Sequence, residues 1–394
     1  MMQARLRSLV LALVLLPALV MAAFDDCECN ESWTSFACTR CFGPCPRTLE
    51  PVKRFEELTT KPGPAKKLMG QERAAVLIAD ALRAASGKKP LTFHFCGENG
   101  VGKSHTALLL AEAYFAYKDK KTDMYKGLLW ISGKQYQMAK SEEEIKAARE
   151  YIHEQIIDHL ATCPQAIIVI DEAEMMRADI LRVVGAFMDD SQTTVSSLKD
   201  PSKRVNTKEA IIILISDFGR DEIRTGDSWD EIAERVHRET KAILQEDLMV
   251  QRIQYHIPFS PVPDLNCTAR VGKVSAPVEE LVSLLVRQLK EHPAAKRDNI
   301  VIKKYLPFFA TTVGADIHAI AEKLIHFMVA HEHYCERNYR GIEGLFATKV
   351  VGPILKQMPE PRPSTQEVTV LVKVPFDQSV VQPARAPGGG REDL

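Results

Sequence analysis

Excess charge is what this chain most plainly lacks. Its 394 residues set 51 Lys+Arg against 52 Asp+Glu, a formal net charge of −1. A nucleic-acid partner calls for a surplus of cations to neutralise phosphates, and the composition holds none. Repeated long apolar runs are missing as well, which excludes a multi-span membrane protein. There is no collagen-like repeat, and 45% apolar with 26% charged residues excludes a mainly disordered chain. What remains is a globular protein long enough for two or three packed units.

One long apolar run is present, near the start. Arg5 and Arg7 precede an uncharged stretch from Ser8 to Phe24 that contains Val20 and Ala22. This predicts a secretory signal peptide over residues 1–23, with an uncleaved anchor as the alternative. The cysteines are segregated too. Of nine, Cys27, Cys29, Cys38, Cys41 and Cys45 crowd a leader over residues 24–50, and they suit disulfides in an oxidising lumen. Five is odd, so one thiol is left over or pairs with another chain. Zinc, or a redox role for Cys38 and Cys41, is the competing reading. The other four, Cys96, Cys163, Cys267 and Cys335, are scattered singly. Asn30-Glu31-Ser32 and Asn266-Cys267-Thr268 are glycosylation sequons. Arg391-Glu392-Asp393-Leu394 resembles a retention tetrapeptide with its two acids exchanged. These features together predict the endoplasmic reticulum lumen.

The chemistry lies in the middle. Leu91-Thr92-Phe93-His94-Phe95 alternates like a strand and runs into Gly97-Glu98-Asn99-Gly100-Val101-Gly102-Lys103-Ser104. A helical stretch, Thr106 to Tyr117, follows. Strand, G-x-x-x-x-G-K-S and helix make up a P-loop. Its glycines let backbone N–H groups turn toward a phosphate, and the helix dipole favours the anion. Lys103 would reach the β- and γ-phosphates of ATP, and the Ser104 hydroxyl would ligate Mg2+. Ala166-Ile167-Ile168-Val169-Ile170 is apolar without alternation, as in a strand buried on both faces, and it ends on Asp171-Glu172. Asp171 would hold the Mg2+ shell and Glu172 would polarise the attacking water. A third apolar strand is expected over Ala210 to Ser216. Strands alternating with helices predict an α/β fold with a parallel sheet and flanking helices.

At this point the residues resemble a family. Gly70-Gln71-Glu72, Lys89-Pro90-Leu91-Thr92, the P-loop, Ile170-Asp171-Glu172, Phe187-Met188-Asp189-Asp190 and Ile213-Leu214-Ile215-Ser216-Asp217 look like the Clp-type branch of the AAA+ ATPases. With the signal segment, the leader and Ile257-Pro258-Phe259-Ser260-Pro261, the chain is similar to the torsins over residues 55 to 330. The resemblance implies that Gly70 and Gln71 line the adenine pocket. It places Asp217 at the sensor-one position, where an Asn is usual. Arg252 falls at the arginine-finger position of Clp-type proteins, whereas torsins generally borrow an arginine from a membrane-bound activator. Ser104 agrees with Clp-type proteins, since torsins commonly carry Asn there. Gly314-Ala315-Asp316 stands where a sensor-two cation is expected. A homo-oligomer acting on protein substrates is implied as well.

The organisation expected is a nucleotide-binding subdomain over 51–262, a small helical lid over 263–355 and a Pro-rich tail over 356–394. Apolar spacing at 279–286 and 317–331 predicts lid helices, and His318, His326, His331 and His333 are read as ordinary histidines rather than metal ligands. The tail holds one strand-like run, Glu367 to Val374, and a disordered end. Tyr136 is a candidate to grip substrate in a pore, Trp130 is assigned to the core, and Glu142 to Glu144 to a solvated helix face. Two function classes remain open: an ATP hydrolase that remodels proteins, chaperone-like, and a nucleotide-dependent binding module with little turnover. A small-molecule kinase fits the P-loop but not Asp171-Glu172.

Overall fold

The computed structural model describes residues 45–260 apart from 62–64, 69, 224–227 and 245–246, with the backbone of 300–307, 366–372 and 379–383 and residues 340 and 344. The signal segment, the first four leader cysteines, both sequons, the two lid-helix patterns with their histidines, Gly314-Ala315-Asp316 and the terminal tetrapeptide lie outside these residues. The chain divides into two compact units, residues 1–97 with 103–259 and residues 98–102 with 260–394; Lys103, Ser104, Asp171, Glu172 and Asp217 belong to the first.

Helix α1, Pro51–Thr59, starts on proline, whose missing N–H is not needed in a first turn. Helix α2, Glu72–Ala84, buries Ala74, Ala75, Ile78, Ala79 and Leu82, an apolar face at helical spacing. Strand β1, Leu91–Gly97, leads through residues 98–102 into helix α3, Lys103–Tyr114. Strand β2, Leu128–Ser132, precedes helix α4, Glu142–Thr162. Ser141 and Glu144 form a capping box there, so Glu144, expected only to face solvent, also fixes where the helix begins. Strand β3, Ile167–Asp171, helix α5, Ala178–Gly185, and a hairpin of β4, Thr194–Ser196, with β5, Arg204–Asn206, follow. Strand β6, Ile211–Ser216, helices α6, Trp229–Leu244, and α7, Asp247–Gln251, and strand β7, Tyr255–Phe259, complete this unit.

Five strands make one parallel sheet in the order β2-β3-β6-β1-β7. Every residue of β1 and β6 is buried; β6 reads as an unbroken apolar run, whereas β1 alternates because Thr92 and His94 are buried with hydrogen-bond partners. Truncating a core side chain such as Ile213 to alanine would cost about 3 kcal/mol. Register sets Ser132 beside Asp171 and Cys96 beside Ser216, so the carboxyl ends of β2, β3, β6 and β1 share one edge. Ligands of open α/β sheets bind at that edge. Trp130, assigned to the core, is half-buried in β2 opposite Val169.

One cysteine expectation is corrected. Cys45 pairs with Cys163, the C-cap of α4, so a leader cysteine is joined to the domain and Cys163 is not a single thiol. A leader considered alone could not reveal a partner 118 residues away. The second unit contains a three-stranded sheet: β8, Ile300–Pro307, runs parallel to β9, Gln366–Val372, which runs antiparallel to β10, Ser379–Pro383. β8 falls within the segment expected to be a helical lid, where Ile300, Val301 and Ile302 supply the β-branched run that favours a strand. β9 matches the strand-like run foreseen in the tail, and β10 adds a second strand there.

Candidate nucleotide-binding site

The loop Glu98-Asn99-Gly100-Val101-Gly102 leaves β1 and enters α3 directly, with Gly100 and Gly102 at φ 81° and 105°. Gly97 before it has φ 143°, and a Cβ there would lie 2.5 Å from the Phe259 carbonyl oxygen, so only glycine lets β1 and β7 approach this closely. Lys103, the first residue of α3, is 7% exposed. Its ammonium donates to the Gly97 carbonyl and lies 2.8 Å from Asp217 Oδ1. The next residue, Ser104, donates its hydroxyl to Asp171, 3.2 Å from both Oδ1 and Oδ2. Burial pushes the Asp171 carboxyl above its ordinary range, and the Ser104 hydrogen bond opposes this. Two hard oxygen ligands side by side suit Mg2+, which takes few protein ligands and completes its shell with water and phosphate. Among the described residues no three His, Cys, Asp or Glu side chains form a metal cage of their own.

Glu172 leaves β3 in a left-handed conformation, φ 56°. Its N–H donates to Asp171 Oδ1 at 3.1 Å, and Ser132 Oγ donates to Glu172 Oε2 at 3.0 Å. The carboxylate proposed to polarise water is thus held from the neighbouring strand. The third acid of this turn, Glu174, was not foreseen. Its Oε2 accepts from the Asp217 N–H at 3.3 Å, and burial, reinforced by the Asp217 charge, pushes its carboxyl up. Spacing of two from Glu172 was the available signal, but a strand end rich in acids reads as solvated.

The remaining expected residues are carried by other elements. Gly70, φ 65°, and Gln71, 3% exposed, stand just before α2, and the Gln71 carbonyl accepts from Ala75 N–H at 3.0 Å. Arg252 follows α7. Its guanidinium donates to the Gly185 carbonyl at 2.8 Å and pairs with Asp189, a residue of the Phe187–Asp190 motif. The acids around Lys103 are not among its partners within one chain. Tyr136 ends a tight turn, Gly133–Tyr136, and is half-buried, with its phenol raised by that burial.

A chain of imidazoles runs behind the site. His94 Nε2 lies 2.7 Å from Ser216 Oγ, His94 Nδ1 lies 2.9 Å from His256 Nδ1, and His256 Nε2 lies 3.0 Å from His237 Nδ1. Neutral rings satisfy every link when each donates in the same direction, from Ser216 out to His237. Burial first, and then the neighbouring His256 and Lys103, keep His94 well below its ordinary value. His256 is lowered to about 4 by burial and by His237. Ser216 Oγ also accepts the Phe218 N–H at 3.1 Å, so this chain anchors the turn that carries Asp217.

Known proteins match this arrangement. Residues 88–254 fit the family model described as AAA domain (Cdc48 subfamily). The chaperone protein ClpB of Bacteroides thetaiotaomicron is 26% identical over 218 residues, covering 50% of this chain and 24% of its own. The mitochondrial disaggregase of Homo sapiens is 28% identical over 166 residues, 40% of this chain and 22% of that protein. Heat shock protein 104 of Schizosaccharomyces pombe is 27% identical over 215 residues, 52% and 22%. The chain thus spans about a quarter of the length of the curated relatives it matches. A closed-state cryo-EM reconstruction of Hsp104 with ATPγS and FITC casein superposes with a TM-score of 0.57 at 14% identity, covering 85% of this chain and 52% of that one. At that identity the likeness is one of fold.

Proposed function

From a chain whose residues 88–254 form an AAA-type ATPase domain of the Clp kind, we propose a torsin-like machine that binds ATP with Mg2+ and hydrolyses it to remodel protein substrates. One observation carries this reading. Lys103 and Ser104 open the helix that follows β1, Asp171 and Glu172 stand at the carboxyl end of β3, and Ser104 and Asp171 already share a hydrogen bond. When bound, Mg2+ neutralises charge on the β- and γ-oxygens. Lys103 binds the same oxygens, Asp171 and Ser104 hold the cation, and Glu172 orients water from a carboxylate fixed by Ser132.

Arg252 is the finger that one subunit supplies to its neighbour in a homo-oligomer; a membrane-bound activator is the other source. The working compartment in this reading is the endoplasmic reticulum lumen, and the Cys45–Cys163 disulfide supports it because such bonds persist where the surroundings are oxidising. The near-balanced charge speaks against a nucleic-acid partner. A second reading, a nucleotide-dependent binding protein with little turnover, is favoured by the ion pair that Asp217 makes with Lys103.

The test is turnover of ATP by the purified chain and by Glu172→Gln, with and without candidate activators. The variant is expected to retain ATP and lose at least 100-fold in rate, on the order of what a positioned water-activating group supplies. A wild-type chain that binds ATP but never turns it over would leave the second reading standing instead.

A further inference from the structure

The acid that follows β6 confronts the P-loop lysine with a charge of the wrong sign for a triphosphate. Lys103 and Asp217 side chains are 8% and 16% exposed and their charged atoms are 2.8 Å apart. An ammonium at this place in a P-loop meets the β- and γ-phosphates. The Asp217 carboxylate therefore stands at the very group that a phosphate must reach. Its backbone is anchored. Asp217 N–H donates to Glu174 at 3.3 Å, its carbonyl accepts from Arg220 N–H at 3.2 Å, and the neighbouring Ser216 is tied to His94. Glu174, half-buried beside it, adds a second acid.

Resting on the nucleotide-site reading above, we infer that Asp217 is a specificity-determining residue that sets this site against the γ-phosphate, so that ADP is bound in preference to ATP. ADP ends at the β-phosphate, and Lys103 can bind it while still paired with Asp217. ATP brings further negative oxygens to the same ammonium, within a few ångströms of a carboxylate that little water screens. Like charges so placed cost about tenfold or more in affinity. An amide in that place would carry no charge and would lift the penalty.

Calorimetric titration of the purified full chain with Mg·ADP and Mg·ATPγS tests this. The wild type is expected to bind ADP about tenfold more tightly or better. Asp217→Asn should tighten ATPγS about tenfold and move ADP less than threefold, whereas Asp217→Glu, which keeps the charge, should keep the preference. A rise in melting temperature with ADP verifies that each variant is folded. If Asp217→Asn is not, Asp217→Ser is read in the same way. Equal affinity of the wild type for both nucleotides, or equal tightening of both by Asp217→Asn, overturns the role of Asp217 and leaves the nucleotide site intact. Failure of the wild type to bind either one, with Lys103→Ala indistinguishable from it, overturns the nucleotide site itself and this inference with it.

Discussion

Gly133 and Glu172 fit each other by shape. A Cβ at position 133 would clash with the Glu172 carbonyl oxygen and would also lie 2.9 Å from Met176 Cγ. Glu172 is itself in a left-handed backbone conformation, a strain of about 1 kcal/mol for a residue with a side chain. The bare backbone of Gly133 allows that turn to close beneath β2, where Ser132 reaches the Glu172 carboxylate.

Gly133→Ala must therefore push the β3 turn away and carry the Glu172 carboxylate with it. Turnover is expected to fall about tenfold or more, because small misplacements of a catalytic group are costly. Mg·ADP affinity should stay within threefold, since Lys103 and Ser104 are carried by α3. Steady-state rates and calorimetry measure both quantities, and an unaltered rate would mean that the Glu172 carbonyl yields freely.

Arg252 pairs with Asp189 inside its own chain and has its site, in the proposal, on the neighbouring one. Mixing two inactive variants separates these roles. Arg252→Ala lacks the finger but keeps Glu172; Glu172→Gln has the reverse. Their equimolar mixture should regain a measurable part of wild-type turnover, because mixed rings contain complete sites. A mixture as inactive as its components assigns Arg252 to the Asp189 contact alone. That contact, partly exposed, is worth about 1 kcal/mol at most.

The imidazole chain makes stability depend on pH in a defined direction. His256 titrates near 4 when folded against 6.5 as its ordinary value, and His94 is lowered as well. Between those values the unfolded chain binds more protons, so stability is full above about pH 6.5 and is lost as pH falls toward 4. The loss from His256 is on the order of 3 kcal/mol. Urea unfolding measured from pH 7.5 to 4.5 should show it, and His256→Gln should flatten that slope. A slope unchanged by the substitution would place the acid sensitivity elsewhere.

The Cys45–Cys163 bond closes a loop of more than a hundred residues, and it constrains the unfolded chain accordingly. Dithiothreitol is expected to lower the melting temperature of the wild type, a loss of about 3 kcal/mol. The double variant Cys45→Ser, Cys163→Ser should start from that lower value and show no response attributable to this bridge. A wild type whose melting ignores the reductant would show that the bond contributes little.

Each piece of the site that could be read beforehand is contiguous in the chain. The P-loop needs a strand, a glycine-rich octapeptide and a helix in succession, and Asp171-Glu172 needs only an apolar run before it. Both signals survive without knowing what lies beside them. The imidazole chain, the Asp189 partner of Arg252 and the Cys163 partner of Cys45 had no such local mark. Each depends on elements that the sheet order brings together from distant parts of the chain. Ser141 and Glu144 make the opposite point: a capping box is local and was there to be seen, but three successive glutamates looked like mere solvation.

The sequence by itself determined a parallel α/β domain with a P-loop and a second acidic strand end, because apolar periodicity and turn chemistry act over a few residues. Only the tertiary structure decided what each charge faces. Strand β6 lies beside β1 although about 120 residues separate them, and this sets Asp217 against Lys103 rather than against water. Such pairings follow from which strands exchange hydrogen bonds across the sheet, a choice made by burial over the whole core. They govern the electrostatics of the site because charges buried together act on one another with little screening.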